Sequence, residues 1–138
     1  MPITFVPSAG MVLWCNYHGT VAPEMTKVRR VLVVSSKPAN RRQSCVVVPF
    51  STVAPVPLAP WHHEIAAGTY AFLPDRCWAK ADMVGVVSWQ RLDRLKVAGQ
   101  WATPKVGIDD LRAVQRAVMA AMGVESTTAQ AYLTSVTP

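Results

Sequence analysis

The sequence predicts a β-rich α+β domain, a small, partly open barrel with one late helix packed on its side. Three observations carry that expectation. Short runs rich in Val, Trp, Tyr, Phe and Ile recur along most of the chain, each bounded by Gly, Pro or polar clusters. Only one stretch, near the end, repeats apolar residues at spacings of three and four. Eleven prolines rule out long continuous elements elsewhere. With 138 residues the chain fits one domain, expected over residues 1–123, followed by a Ser/Thr/Ala-rich tail at 124–138 that lacks a period and is expected to be loosely packed.

In order, residues 11–17 after Gly10 suit a half-buried first strand. Residues 18–23 carry the Gly and Pro of a loop. The second strand follows a charged segment: Glu24, Lys27, Arg29 and Arg30 lead into Val31, Leu32, Val33 and Val34, which offer nothing polar and read as buried on both faces. Residues 37–43 form a polar turn, and residues 45–50 a third strand that pairs with the second as an antiparallel hairpin. Three prolines at 55, 57 and 60 make an extended surface loop. Residues 61–65 are a fourth strand, 73–76 a turn, 77–87 one or two further strands, and 90–100 a polar turn or short helix with a connector. In residues 108–122, Ile108, Leu111, Val114, Val118 and Met122 share one helical face. Asp109 and Asp110 suit its first turn, and Gly123 its C-terminal cap.

A balance of 14 Lys+Arg against 8 Asp+Glu gives +6 and a pI near 9.7, which favours a polyanion such as nucleic acid, or an acidic protein, as partner. Cys15, Cys45 and Cys77 are odd in number and lack C-x-x-C spacing, so buried thiols in a reducing compartment are expected and no metal site is read from them. No apolar segment reaches the roughly 18 residues of a membrane span and no signal-peptide pattern opens the chain, so a cytoplasmic protein off the membrane is expected.

Phosphate-cradling glycine loops, G-x-S-x-G elbows and H-E-x-x-H helices are all missing from the sequence. Two clusters remain. The charges before Val31 fit either solvated gatekeepers flanking a hydrophobic strand or groups placed at a strand's mouth. A period of two through residues 77–83 would put Trp78, Lys80 and Asp82 on one face, as a surface ion pair beside an aromatic or as a proton donor, a proton acceptor and a stacking ring. His62 and His63, being adjacent on a strand, should point to opposite faces and not share a metal.

The ordered series Gly10 to Trp14, Glu24 to Ser35, Val46 to Thr52, Trp61 to Ile65, Lys80 to Met83 and Gln90 to Leu92, followed by a helix, resembles the MazF/PemK toxins of type II toxin–antitoxin systems. The resemblance covers residues 10–123, and the order of these short motifs carries it. It departs at Arg30, where the family has proline after the arginine, at Ser51, where the family usually has threonine, and at Lys80, where PemK-type members have arginine.

The resemblance implies an SH3-like barrel of the CcdB/PemK type with a C-terminal helix. It implies a homodimeric endoribonuclease that cleaves single-stranded RNA without metal or other cofactor and is silenced by an acidic antitoxin. The 2′-hydroxyl would attack the neighbouring phosphate, leaving 2′,3′-cyclic phosphate and 5′-hydroxyl ends. Carried over by position, Arg29 and Ser51 would stabilise the phosphate, Asp82 would act as base, Lys80 as acid and Glu24 would assist. Lys27, Arg30, Arg41, Arg42, Trp78 and His62 would contact RNA. The alternative is a non-catalytic protein of the same fold, either an RNA binder or a CcdB-type gyrase inhibitor.

Overall fold

The computed structural model describes residues 1–124. The tail expected over residues 124–138 lies, but for Val124, outside the described residues. The strands are β1 (Val12–Asn16), β2 (Val28–Val33), β3 (Ser44–Ser51), β4 (His62–Ile65), β5 (Cys77–Lys80), β6 (Gly85–Ser88), β7 (Leu92–Asp93), β8 (Leu95–Val97) and β9 (Gln100–Ala102). A short helix α1 (Lys37–Asn40) joins β2 to β3, and α2 (Ile108–Ala121) follows the strands.

Seven strands form one antiparallel sheet in the order β4-β5-β3-β2-β1-β7, with β6 on β3, while β8 and β9 make a separate hairpin. The chain is thus mostly antiparallel sheet with one long C-terminal helix, as expected. β3 is its hub. Residues 44–47 pair with β6, residues 47–49 with β2, and Phe50 and Ser51 with β5. The β2–β3 hairpin follows the predicted pairing, with Leu32 opposite Val48.

Alternation along β1, β2 and β3 feeds two cores. Val12, Leu32, Val48 and Phe50 face a cluster closed by Leu111, Val114 and Ala117 of α2. Leu13, Val31, Val33 and Val47 face a second cluster closed by Ile3, Val87 and Leu92. Val31, Leu32 and Val33 are completely buried, which is why that run carries no polar residue.

Three expectations are corrected. Residues 37–43 are not wholly a turn, because Pro38 sits at the start of α1, where its missing N–H costs nothing. Asn40, fully buried, donates from Nδ2 to the carbonyls of Pro7 (2.9 Å) and Ser35 (3.0 Å), tying α1 to the N-terminal segment. Residues 90–100 begin in a short 3-10 turn, Trp89–Arg91, as expected, but the rest is not a connector. They supply β7, β8 and the start of β9, and a two-residue turn with φ of 49° at Ala98 and 80° at Gly99 closes the hairpin with the twist that flanking strands require. Finally, β5 stops at Lys80, and Ala81–Met83 is a 3-10 turn, so strand alternation does not extend to Asp82.

Helix α2 starts and stops where expected, with Gly123 at φ 84° as its left-handed cap. Its apolar stripe is shorter than the spacing predicted: Ile108 and Met122 at the two ends are exposed, and Ala117 is buried in the middle. The first turn is clamped to the sheet by side chains. Tyr70 Oη donates to Asp110 Oδ2 (2.5 Å), His63 Nε2 lies 2.9 Å from Asp110 Oδ1, and Gly107 N donates to Tyr70 Oη (2.8 Å).

Candidate active site

The β2–β3 ladder ends at the pair Val31 and Pro49, and a cleft of about 260 Å³ opens where it would have continued. Its walls are residues 28–30 of β2, Phe50, Ser51 and Thr52 at the end of β3, and Leu73, Pro74, Asp75 and Cys77. Two further steps of the ladder would set Arg29 opposite Ser51, and both residues line the cleft where the strands part. The charges expected at a strand's mouth are therefore partly in the strand itself.

Arg29 pairs with Cys15 and Arg30 with Trp14 in the β1–β2 ladder, so the two arginines leave opposite faces of β2. Arg30 stacks on its partner, its guanidinium carbon 4.6 Å from the Trp14 ring centroid. Arg29 has a buried Nε with no hydrogen-bond partner among the described residues. A buried N–H of a cation is costly unless an acceptor meets it, and because Arg29 lines the cleft its guanidinium is a cation available to an anion entering there. Ser51 is buried, and its Oγ accepts from Val53 N (3.2 Å), which leaves the hydroxyl hydrogen available to donate into the cleft.

The other expected residues lie elsewhere. Glu24 is exposed and closes its own loop, accepting from Val21 N through Oε1 (3.0 Å). Lys27 is exposed just before β2. Arg41 and Arg42 are exposed between α1 and β3, at the opposite end of the hairpin from Arg29. Trp78 offers no free ring face for stacking. It is only 5% exposed, and the Arg76 guanidinium carbon lies 4.8 Å from its centroid.

Lys80, Asp82 and His62 form a second group that does not line the cleft. Lys80 faces His62 across the β4–β5 ladder. His62 Nδ1 accepts from Ala59 N (3.0 Å), so the neutral ring carries its proton on Nε2, which lies 3.9 Å from Asp82 Oδ1. That is beyond a hydrogen bond but close enough to orient the carboxylate's charge. His63 points the other way, to α2, as adjacent strand residues must.

Sequence reasoning overlooked Trp14 and Asp75. Trp14 walls this cleft and two neighbouring ones, and counting the β1–β2 register from the charged segment would have set it beside Arg30. Asp75 is the carboxylate that lines the cleft, and no spacing rule marks it. All three cysteines are free and buried, and burial pushes the thiols of Cys15 and Cys77 up to about 11. Among the described residues no group of three His, Cys, Asp or Glu is gathered to hold a metal ion, and no helix is long and apolar enough to cross a membrane.

A sequence profile for the PemK-like, MazF-like toxin of type II toxin–antitoxin systems matches residues 8–122. The chain belongs to this toxin family. Family membership agrees with the expectation drawn from the motif order, and the PemK/MazF toxins are a family of endoribonucleases. The uncharacterized protein YifN of Escherichia coli (strain K12) is 31% identical, over 86% of this chain and 93% of its own. MazF from Deinococcus radiodurans shares the fold at a TM-score of 0.69 and 20% identity, over 88% of this chain and all of that one. An endoribonuclease from a mycobacterial species superposes at a TM-score of 0.61 and 20% identity, over 87% of this chain and 94% of its own. A MazE–MazF complex from Deinococcus radiodurans matches at a TM-score of 0.60 and 19% identity, over 88% of this chain and all of the matched one.

Proposed function

We propose that this PemK/MazF-family chain is a metal-independent endoribonuclease that cleaves single-stranded RNA through attack of a 2′-hydroxyl on the adjacent phosphate. The observation that carries the reading is that Arg29, whose buried Nε has no hydrogen-bond partner among the described residues, lines the same cleft as Ser51 at the end of the central strand. A bridging phosphate supplies the missing acceptor. As the oxygen attacks, charge builds on the non-bridging oxygens, where the Arg29 guanidinium and the Ser51 hydroxyl donate.

Asp82 takes the 2′-hydroxyl proton and Lys80 gives one to the departing 5′-oxygen, leaving a 2′,3′-cyclic phosphate and a 5′-hydroxyl. Lysine, with an ordinary pKa of about 10.4, releases a proton more readily than an arginine would. Within one chain this pair does not line the Arg29 cleft, so the reading includes a homodimer in which each cleft receives Lys80 and Asp82 from the other copy. Glu24 and Lys27 serve as exposed contacts on the approach, and the protein works in the cytoplasm, held in check by an acidic antitoxin that competes for the same basic surface.

The test is cleavage of varied RNAs in EDTA, with end-mapping of the products. Cyclic phosphate and 5′-hydroxyl ends support the reading, and intact RNA with well-folded protein defeats it. A second reading, a non-catalytic RNA binder, is favoured by the separation of Lys80 and Asp82 from the cleft within one chain. It expects salt-sensitive RNA binding without cleavage.

A further inference from the structure

Trp101 is the only one of the five tryptophans that is mostly exposed, at 56%, and it belongs to neither core cluster. It sits on β9 directly opposite Lys96 of β8, so both side chains leave the same side of the hairpin. Lys96 Nζ lies 5.2 Å and the Arg94 guanidinium carbon 5.7 Å from its ring centroid. An indole held in water between two cations contributes little to the hydrophobic core.

The indole stands on a cleft of about 490 Å³, large enough for a nucleotide, shared with Trp14, Asn16 and Arg91. Arg91 is fixed there, donating from Nη1 to the carbonyls of Asn16 (2.9 Å) and His18 (2.8 Å). Trp14 and Val28 wall both this cleft and the one holding Arg29 and Ser51. A chain lying in one therefore runs past Trp14 into the other.

We propose that Trp101, flanked by Arg94 and Lys96, is a base-stacking subsite for single-stranded RNA, one step along the strand from the Arg29 cleft. The assignment rests on the RNA reading above. A base that stacks on the exposed indole displaces the flexible Lys96 and Arg94 side chains from over its ring, which adds affinity without demanding sequence, and the two freed cations then meet the neighbouring phosphates. An acidic peptide would satisfy the cations but offers no flat face to the ring, whereas an RNA strand offers both a base to Trp101 and a phosphate to Arg29.

The test uses fluorescence anisotropy with a labelled eight-nucleotide RNA, 2′-O-methylated throughout so that it binds without being cut. Trp101→Ala is expected to weaken binding about tenfold, and Trp101→Phe to restore most of it. Arg94→Ala and Lys96→Ala should each lower the slope of log Kd against log salt by about one. Wild-type binding that Trp101→Ala leaves unchanged overturns the subsite while the RNA reading stands. A Phe variant as weak as the Ala variant also overturns it, since the ring is then not what matters. Wild-type protein that neither binds nor cuts RNA overturns both. Binding without cutting, with the expected Trp101 dependence, keeps the subsite and removes the nuclease. If Trp101→Ala spares RNA but weakens a twenty-residue polyglutamate peptide, the surface is for protein and the proposal fails.

Discussion

Arg30 stacks on Trp14, its cross-strand partner, with the guanidinium carbon 4.6 Å from the ring centroid. The pair is half-buried and walls the Arg29 cleft, so the second arginine of the Arg29 and Arg30 dipeptide builds the site's side while the first is aimed at its contents. Arg30→Ala should lower stability by about 0.5–1 kcal/mol, the worth of a partly exposed cation–π pair. Arg30→Lys should recover part of that loss. Urea unfolding of the three proteins is the check, and an Ala variant as stable as wild type would show the stack to be incidental.

Arg29 should behave in the opposite way. Its Nε is buried without an acceptor, so Arg29→Met, close in volume and free of polar atoms, should leave stability unchanged or raise it. The same change should cut kcat/KM for RNA by a hundredfold or more, as loss of a charge-stabilising donor does. Denaturation midpoints and steady-state cleavage, measured on one preparation, decide it. A destabilised but fully active variant would remove Arg29 from the site.

Subunit mixing tests where the proton-transfer pair works. If each cleft joins Arg29 of one copy to Asp82 of the other, inactive Arg29→Ala and Asp82→Ala proteins should regain part of the wild-type rate when unfolded and refolded together. Each mixed dimer would then hold one intact site. Mixtures that stay inactive, together with an Asp75→Asn protein as impaired as Asp82→Ala, would move the base to Asp75, the carboxylate that already lines the cleft.

The helix clamp predicts a pH dependence. Burial acts to raise the Asp110 carboxyl, but hydrogen bonds from Tyr70 and His63 outweigh it and hold the group below its ordinary value. A depressed folded pKa gives stability that is complete above the unfolded value of about 3.9 and is lost as pH falls through the folded one. Asp110→Asn should therefore melt lower than wild type near neutrality. The gap should narrow as pH drops below about 4. Thermal melts across that range, in one buffer series, would show parallel curves if the clamp carries no such linkage.

Much of this was legible in the sequence because it is local or periodic. The runs at Val31 to Val33 and at Val46 to Val48, the hairpin between them, the Asp109 and Gly123 helix signals and the opposite facing of His62 and His63 all follow from side-chain geometry over a few residues. The β8–β9 hairpin escaped because its turn uses Ala98 before Gly99, where Asn or Asp would have announced a left-handed pair. Trp78 looked like a stacking platform because a period of two set it on one face with Lys80 and Asp82, and only the folded chain shows it buried beneath Arg76. The gap between Lys80 and the Arg29 cleft, and the entry of Asp75 into that cleft, depend on where distant strands meet. No spacing along the chain encodes them.

Ser51 closes β3, and β3 is bonded in turn to β6, β2 and β5. The hydroxyl that shares the cleft with Arg29 is thus carried on a strand bonded on both sides, whereas the proline-rich segment from Val53 to Pro60 hangs from it with Val53, Val56 and Leu58 in solvent. Such an arrangement separates two rates of evolutionary change. The segment can be lengthened, shortened or rewritten while the strand that carries Ser51 stays where it was.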